Sequence, residues 1–252
     1  MRGGIIFPND WEKILEKDVI EKPSKEITAE ELAAKLVAKL RECADTFKGN
    51  KFCLALSGGI DSSILAVLLK NFVKVDFTCI TIGKIGHPDI YYAEIMAKRF
   101  GLKHRVFFLI GNRKSENIYD DLFWTISQFG FRYSIHADAI DELTAGYWLH
   151  RLNADNATFQ NYWQRLTPEH LDPMRHHAKQ HNVAIGLPYL AAHDILRRLP
   201  MYQRATNLNH QGKIILRELA RNLDIPDKII ARSKLGLCDI WKEFGNEKDA
   251  VL

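Results

Sequence analysis

Residues 54–66 read LALSGGIDSSILA. An apolar run, KFCLAL (51–56), ends in Ser57, Gly58 and Gly59, and SSILAVLLKNF (62–72) follows. A short apolar run, a glycine break and a longer apolar run read as a buried strand, a tight turn and a helix. At such a turn the first helical N–H groups lack partners, and the helix dipole favours an anion. Gly58 and Gly59 let the backbone approach a ligand closely and adopt positive φ. A bare G-G is more cheaply read as a turn with no ligand. S-G-G-x-D-S-S between a strand and a helix is more specific and reads as a phosphate cradle. Asp61 then poses a problem, because it puts a negative charge where an anion should sit.

Working outward, strands and helices alternate. ITAEELAAKLVAKLREC (27–43) is an amphipathic helix opened by a capping box, Thr28 and Glu31. VDFTCITIG (75–83) is a second strand, and Pro88 opens a helix that Gly101 stops. KHRVFFLI (103–110), ENIYDDLFWTISQF (116–129) and FRYSIHA (131–137) continue as strand, helix and strand. This rhythm predicts an α/β fold: an open, mainly parallel, doubly wound sheet followed by a helical C-terminal region. Residues 1–26 read as an N-terminal arm whose GIIF is a short strand or a docking segment. Residues 27–150 form the α/β core and 151–252 the helical remainder, in which no convincing strand is read. LPYLAAHDILRRLP (187–200) and GKIILRELARNL (212–223) are its clearest helical patterns.

Bulk composition narrows the classes. A chain of 252 residues with 46% hydrophobic residues can bury a substantial core. The net charge of +4 permits phosphate or nucleic-acid ligands without requiring them. Cys43, Cys53, Cys79 and Cys238 form no C-x-x-C pair, which argues against zinc, iron–sulfur and redox sites; Cys53 and Cys79 lie in apolar runs and read as buried thiols. No apolar stretch approaches the ~20 residues of a membrane span, and MRGGIIFPNDWEK has no signal-peptide shape, so a cytoplasmic protein is expected. His177 and His181 are spaced i, i+4, but no H-E-x-x-H pattern accompanies them; together with His176 they read as a polar helix face. The aromatic–arginine mixtures YWLHR and YWQRL read as helix packing before base stacking.

The loop is neither G-x-x-x-x-G-K-S/T nor G-x-G-x-x-G. S-G-G-x-D-S resembles the PP-loop of the ATP pyrophosphatases, which cut ATP between its α and β phosphates and release pyrophosphate. That resemblance offers a role for Asp61. A carboxylate beside pyrophosphate is repulsive unless a cation lies between them, and Mg²⁺ takes one or two carboxylates plus phosphate oxygens. A second ligand is sought in HADAIDELTAGYWLHR (136–151), where Asp138, Asp141 and Glu142 follow a strand and open a helix. Helix capping alone would also account for those acids.

DELTAGYWLHR (141–151) resembles the asparagine synthetase stretch D-E-x-x-x-G-Y. GKIILRELARNLDIPDKIIARSKLGL (212–237) resembles that family's G-K-x-x-L-R-E … P-x-x-I-x-x-R-x-K-x-G-F. The chain is thus similar to an asparagine synthetase-like synthetase domain over roughly residues 50–238. The resemblance implies Ser57, Gly58, Gly59, Asp61, Ser62 and Ser63 at the phosphates of ATP, and Ile82 and Gly83 near adenine. It implies Asp61 and Asp141 on Mg²⁺, Lys213 and Lys234 on the phosphates, and Asp138 and Glu142 at the reacting centre. Its departures bear on the acceptor. The family's G-E-G-x-D-E is here Ala137 to Glu142 without either glycine, and its E-x-R-x-P-F-L-D is here Ala184 to Ala191 without the acid, the arginine or the final aspartate. If those charges shape the acceptor pocket, this pocket is more apolar, and aspartate as acceptor is in doubt.

The leading expectation is an ATP-dependent, AMP-forming amide ligase that adenylates a small-molecule carboxylate for attack by ammonia or an amine. The family's glutaminase half, with its N-terminal cysteine, has no counterpart in a chain that begins MRGG, so the nitrogen would come from free ammonia, an amine or a separate glutaminase subunit. A homodimer is allowed. The alternatives are a PP-loop tRNA-modifying enzyme that adenylates a base carbonyl, and a non-catalytic nucleotide-binding module. The missing C-x-x-C speaks against the sulfur-inserting forms of the first, and the two lysines against the second.

Overall fold

The computed structural model describes residues 3–109, 117–206 and 211–232. The chain runs β1 (Gly4–Phe7), α1 (Trp11–Leu15), α2 (Ala29–Thr46), β2 (Cys53–Ala55), α3 (Ile60–Leu68), β3 (Thr78–Gly83), α4 (Pro88–Phe100), β4 (His104–Phe108) and α5 (Ile118–Gln128). It continues with β5 (Tyr133–Ile135), α6 (Ile140–Thr144), α7 (Trp148–Leu152), α8 (Asn156–Leu166), α9 (Asp172–Gln180) and β6 (Ala184–Gly186). Last come α10 (Pro188–Ala191), α11 (His193–Leu196), α12 (Met201–Arg204), β7 (Ala205–Thr206), β8 (Gln211–Gly212), α13 (Ile214–Asn222) and α14 (Asp227–Ile230).

Six strands form one sheet in the order β1-β6-β5-β2-β3-β4, every pair parallel. From β2 the chain steps one way to β3 and β4, then returns past β2 to β5, β6 and, at the far edge, the N-terminal β1. The order therefore reverses between β2 and β5, and ligands of such sheets bind in the crevice at that switch point. β2 is buried between two neighbours and is apolar throughout: Cys53 and Leu54 pair with Thr78 and Cys79 of β3 on one side and with Ser134 and Ile135 of β5 on the other. The open doubly wound α/β fold expected from the sequence is the fold observed.

Several local expectations hold in detail. Thr28 Oγ1 accepts from the Glu31 N–H at 3.2 Å while Glu31 Oε2 accepts from the Thr28 N–H at 2.9 Å. The helix opened by Pro88 stops at Gly101, which stands at φ +60. Cys53 and Cys79 are free and fully buried, and burial pushes both thiols up to about 12.

The expectation of no strand beyond residue 150 is corrected. Ala184–Gly186 forms β6, held between β5 and β1, and Ala205–Thr206 with Gln211–Gly212 forms a short antiparallel pair. A three-residue strand buried on all sides shows no alternation to read. The GIIF of the arm is an edge strand, paired along β6, so the N-terminal segment and the chain after residue 180 complete the same sheet. LPYLAAHDILRRLP, read as a helical pattern, folds as two single-turn helices, α10 and α11.

Candidate active site

The loop after β2 is braced by its own hydroxyls. The Ser57 N–H donates to Ser62 Oγ at 3.2 Å, and the Gly59 N–H donates to Ser57 Oγ at 3.3 Å. Gly58 stands at φ +66, packed so closely on α4 that a Cβ there would fall 2.4 Å from the Ala93 nitrogen. Behind the loop, Arg232 Nη1 donates to the Ser57 carbonyl at 2.9 Å, and its guanidinium pairs with Asp89 and lies 4.5 Å from the Tyr92 ring centre. From beneath, the Tyr189 hydroxyl donates to the Asp61 carbonyl at 2.9 Å.

Two cavities meet at this loop. The larger, about 790 Å³, lies over the C-terminal ends of β2, β3 and β5 and is lined by Leu56, Ser57, Thr81, Ile82, His136 and Asp138, among others. It falls within the size range of ordinary small-molecule sites, ~300–1,000 Å³. The smaller, about 160 Å³, is lined by Gly59 and four cationic side chains, Arg151, Lys213, Arg217 and Arg232. Ser57, Asp61, Asp89, Gly146 and Arg151 line both and mark the junction. A pocket rich in cations at a helix N-terminus suits phosphate groups, and the broader space beside it suits what the phosphates are attached to.

At the junction, Lys213 reaches between two carboxylates. Its Nζ lies 2.5 Å from Asp61 Oδ2 and 2.6 Å from Asp141 Oδ1, and the residue is 5% exposed. Burial pushes the ammonium down, but Asp141 and then Asp61 outweigh it, so the net shift is upward and Lys213 stays charged. The backbone is shaped to allow this contact. Lys213 stands in the left-handed region at φ 60, and its N–H donates to the Thr144 carbonyl at 2.8 Å. Asp141 fits because residue 146 is glycine: a Cβ there would lie 1.7 Å from Asp141 Oδ1. Ala139, where the resemblance expects glycine, still holds a left-handed φ of 71, a conformation that costs an L-residue ~1–2 kcal/mol.

Beside Asp141, the Tyr147 hydroxyl donates to Glu142 Oε1 at 2.6 Å, and its ring stacks on Tyr162 at 4.4 Å. Burial first, then the charges of Glu142 and Asp141, push the Tyr147 phenol far up, so it remains a proton donor. Arg204, fully buried, fixes the acid-bearing α6 from behind: it donates to the carbonyls of Leu143 (2.6 Å), Leu196 (2.9 Å), Arg197 (2.8 Å) and Leu199 (3.0 Å).

The structure sorts the residues expected from the sequence. Ser57, Asp61, Ser62, Ile82, Asp138, Asp141 and Glu142 line the larger cavity, and Gly59 and Lys213 the smaller. Gly58 and Gly83 line neither; Gly83 packs on His87 and Ile90. Ser63 also lines neither, its side chain turned into the interior. Lys234 lies outside the described residues. The segment Ala184 to Ala191, read as a possible acceptor wall, is buried and is not among the residues that line either cavity. Arg151, Arg217, Arg232, Tyr147 and Tyr189 were not singled out. Arg217 and Arg232 stand inside the G-K and R-x-K stretches, where a search for fixed cations would have found them.

Away from this site, His181 Nε2 lies 2.6 Å from Asp120 Oδ1, and His177 Nδ1 lies 2.8 Å from Gln180 Oε1, so these imidazoles serve helix contacts. Trp163 is buried, donating to the Lys17 carbonyl at 2.9 Å, as helix packing requires. No described helix is long and apolar enough to cross a membrane.

Fold and loop together make this a candidate phosphate-binding site. The family model described as asparagine synthase matches residues 31–140, which bears out the resemblance from about residue 50 to β5 and ends just before Asp141. No curated protein sequence matches the chain. Among solved structures, the chain is similar to NMN synthetase from Francisella tularensis, with 16% identity and a TM-score of 0.43, covering 88% of this chain and 81% of that one. It is also similar to U34-tRNA thiolase NcsA from Methanococcus maripaludis, at 17% and 0.41, covering 81% and 85%. A third is the NH3-dependent NAD synthetase from Campylobacter jejuni, at 14% and 0.39, covering 81% and 77%.

Proposed function

We propose that the protein is an AMP-forming amide ligase. The observation that carries this reading is the convergence of Asp61 and Asp141 on one cationic nitrogen, at the junction of an arginine-lined anion pocket and a larger cavity. Two carboxylates from different strand ends that aim at a common point form a donor set suited to Mg²⁺, which takes carboxylate oxygens together with phosphate oxygens. Asp61 and Asp141 would hold it, and when bound it supplies charge neutralisation for the phosphates.

In this reading ATP lies with its base toward Ile82 and its β and γ phosphates in the smaller cavity. A carboxylate oxygen of the acceptor attacks the α phosphorus. The bond between that phosphorus and the bridging oxygen breaks, and its electron pair leaves with pyrophosphate. Arg151, Lys213 and Arg217 face that growing charge, and stabilisation by positioned charge is what such steps require. Ammonia or an amine then attacks the acyl carbon, the carbon–oxygen bond to AMP breaks, and a proton passes from nitrogen to Asp138 or Glu142. Tyr147 holds Glu142 in place for that transfer.

The test is product analysis. The purified protein, incubated with ATP, Mg²⁺, ammonium and a panel of small carboxylates, should release AMP and pyrophosphate in equal amounts. Release of ADP and phosphate, or AMP release that needs tRNA and no carboxylate, would overturn the reading.

A further inference from the structure

The larger cavity extends well beyond the strand ends that would seat a nucleotide. Its far wall is built by Tyr119 and Leu122 of α5, Leu166 at the end of α8 and Met174 of α9. All four are buried, Met174 and Leu166 almost completely. A wall of leucine, methionine and the face of a tyrosine rewards an apolar or aromatic body, and methionine adapts its shape to one.

The charges on the cavity point the same way. Arg151 is the single lysine or arginine among the described residues that line it, and Arg151 also lines the anion pocket beside Lys213 and Arg217. His136 is wholly buried, and burial pushes its imidazole down to about 3, so it offers no cation. His170 Nδ1 is in contact with the Tyr119 hydroxyl at 3.4 Å. Asp138 and Glu142 put carboxylates near the reacting centre. Apart from Arg151, which it would share with the anion pocket, and His170, the described residues that line the cavity would offer a second carboxylate only acids and uncharged groups, which is costly. An ammonium there would be paired.

We infer that the acceptor is a monocarboxylic acid with an apolar or aromatic body and an amine close to its carboxylate, an apolar α-amino acid being the simplest member, and not a dicarboxylic acid such as aspartate. This rests on the ligase reading, and a specific recognition element follows from it: Leu122, Leu166 and Met174 select the body, and Asp138 and Glu142 select the amine.

Two measurements on the whole protein test it. The first is acid-dependent exchange of labelled pyrophosphate into ATP. Leucine, methionine or phenylalanine should drive exchange at least tenfold better than aspartate or glutamate, and tenfold better than 4-methylpentanoate, which is leucine without its amine. The second is binding of the same acids without ATP, followed by calorimetry. Leu122→Ala should lower the preference for leucine over alanine about tenfold in whichever assay responds. Exchange or binding that favours aspartate, or that ignores the amine, overturns the inference and leaves the ligase reading standing. Selective binding of apolar amino acids with no exchange upholds the pocket chemistry and overturns the ligase reading. Neither binding nor exchange with any acid overturns both.

Discussion

Lys213 closes on Asp61 at 2.5 Å across 152 residues of chain, and the same ammonium lies 2.6 Å from Asp141. The cation that the loop's carboxylate calls for is therefore present in the protein itself. A single lysine balances two acids that would otherwise repel each other when buried. In the proposed ligase the same two carboxylates would hold a divalent ion, so ion and ammonium would compete for one place. Removing one partner of a buried ion pair costs ~3–5 kcal/mol, because the remaining charge is left uncompensated. Lys213→Met should lose stability of that order in denaturant titrations without divalent ions. The variant should also bind Mn²⁺ more tightly than the parent in the absence of nucleotide, read by the loss of the free-ion EPR signal. Equal Mn²⁺ affinity in the two proteins would mean that lysine and metal do not share the position.

In the proposed ligase Asp61 would serve both lysine and metal, so its removal should separate folding from chemistry. Asp61→Asn keeps the size of the side chain, and Lys213 keeps Asp141. Stability should fall by less than in Lys213→Met, while Mg²⁺-dependent pyrophosphate exchange should drop at least a hundredfold, the order seen when a positioned electrostatic group is lost. Near-parental exchange in the asparagine variant would remove Asp61 from the metal site.

Gly146 tests the geometry without touching a charge. A Cβ at that position would lie 1.7 Å from Asp141 Oδ1, closer than any contact permits. Gly146→Ala should therefore push the carboxylate off Lys213, weakening Mn²⁺ binding and exchange together, roughly tenfold or more. The same Cβ would lie 2.6 Å from Asp141 Cβ, which moves only with its backbone, so a small shift of α6 is expected as well, and urea unfolding of the variant is read beside its kinetics. An alanine variant with parental kinetics would show that Asp141 can perform its role from another position.

How much of this was legible in the sequence depends on the range of the interaction. The loop was read correctly because its strand, glycines and helix are consecutive in sequence, and local chemistry decides them. Helices α2 and α4 were read from a capping box, a proline and a glycine at their ends. β6 was not, since three buried residues between two partner strands carry no period. The lysine between Asp61 and Asp141 escaped because the resemblance assigned Lys213 to phosphate and the acids to metal. Nothing in sequence says that the three side chains converge on one point. Tyr189 was missed for a similar reason: it stands in a segment read for lost charges, and its role is a hydroxyl beneath the Asp61 carbonyl.

His136 gives a prediction in which the sign of the pH dependence is the test. Its imidazole is wholly buried beside the Phe123 ring, 5.4 Å between centres, and burial pushes it down to about 3. In the unfolded chain an imidazole takes up its proton near 6.5. Between about 3 and 6.5 the unfolded state therefore binds one proton more than the folded state, and folding loses stability as pH falls through that window, by ~1.4 kcal/mol per pH unit from this group. Above about pH 6.5 both states are neutral and the contribution is flat. His136→Phe should remove the dependence. Whatever its stability relative to the parent at pH 7.5, the difference should shift in the variant's favour by ~1.4 kcal/mol for each unit between pH 6 and pH 5, read from urea unfolding at each pH. In the parent, the imidazole resonances of His136 should stay fixed from pH 8 to 5 while those of exposed histidines move. Parallel stability curves for the two proteins, or a His136 resonance that titrates near 6.5, would mean that the ring is solvated. The larger cavity would then have a cation at its wall below neutral pH, and a second acceptor carboxylate would no longer lack a partner there.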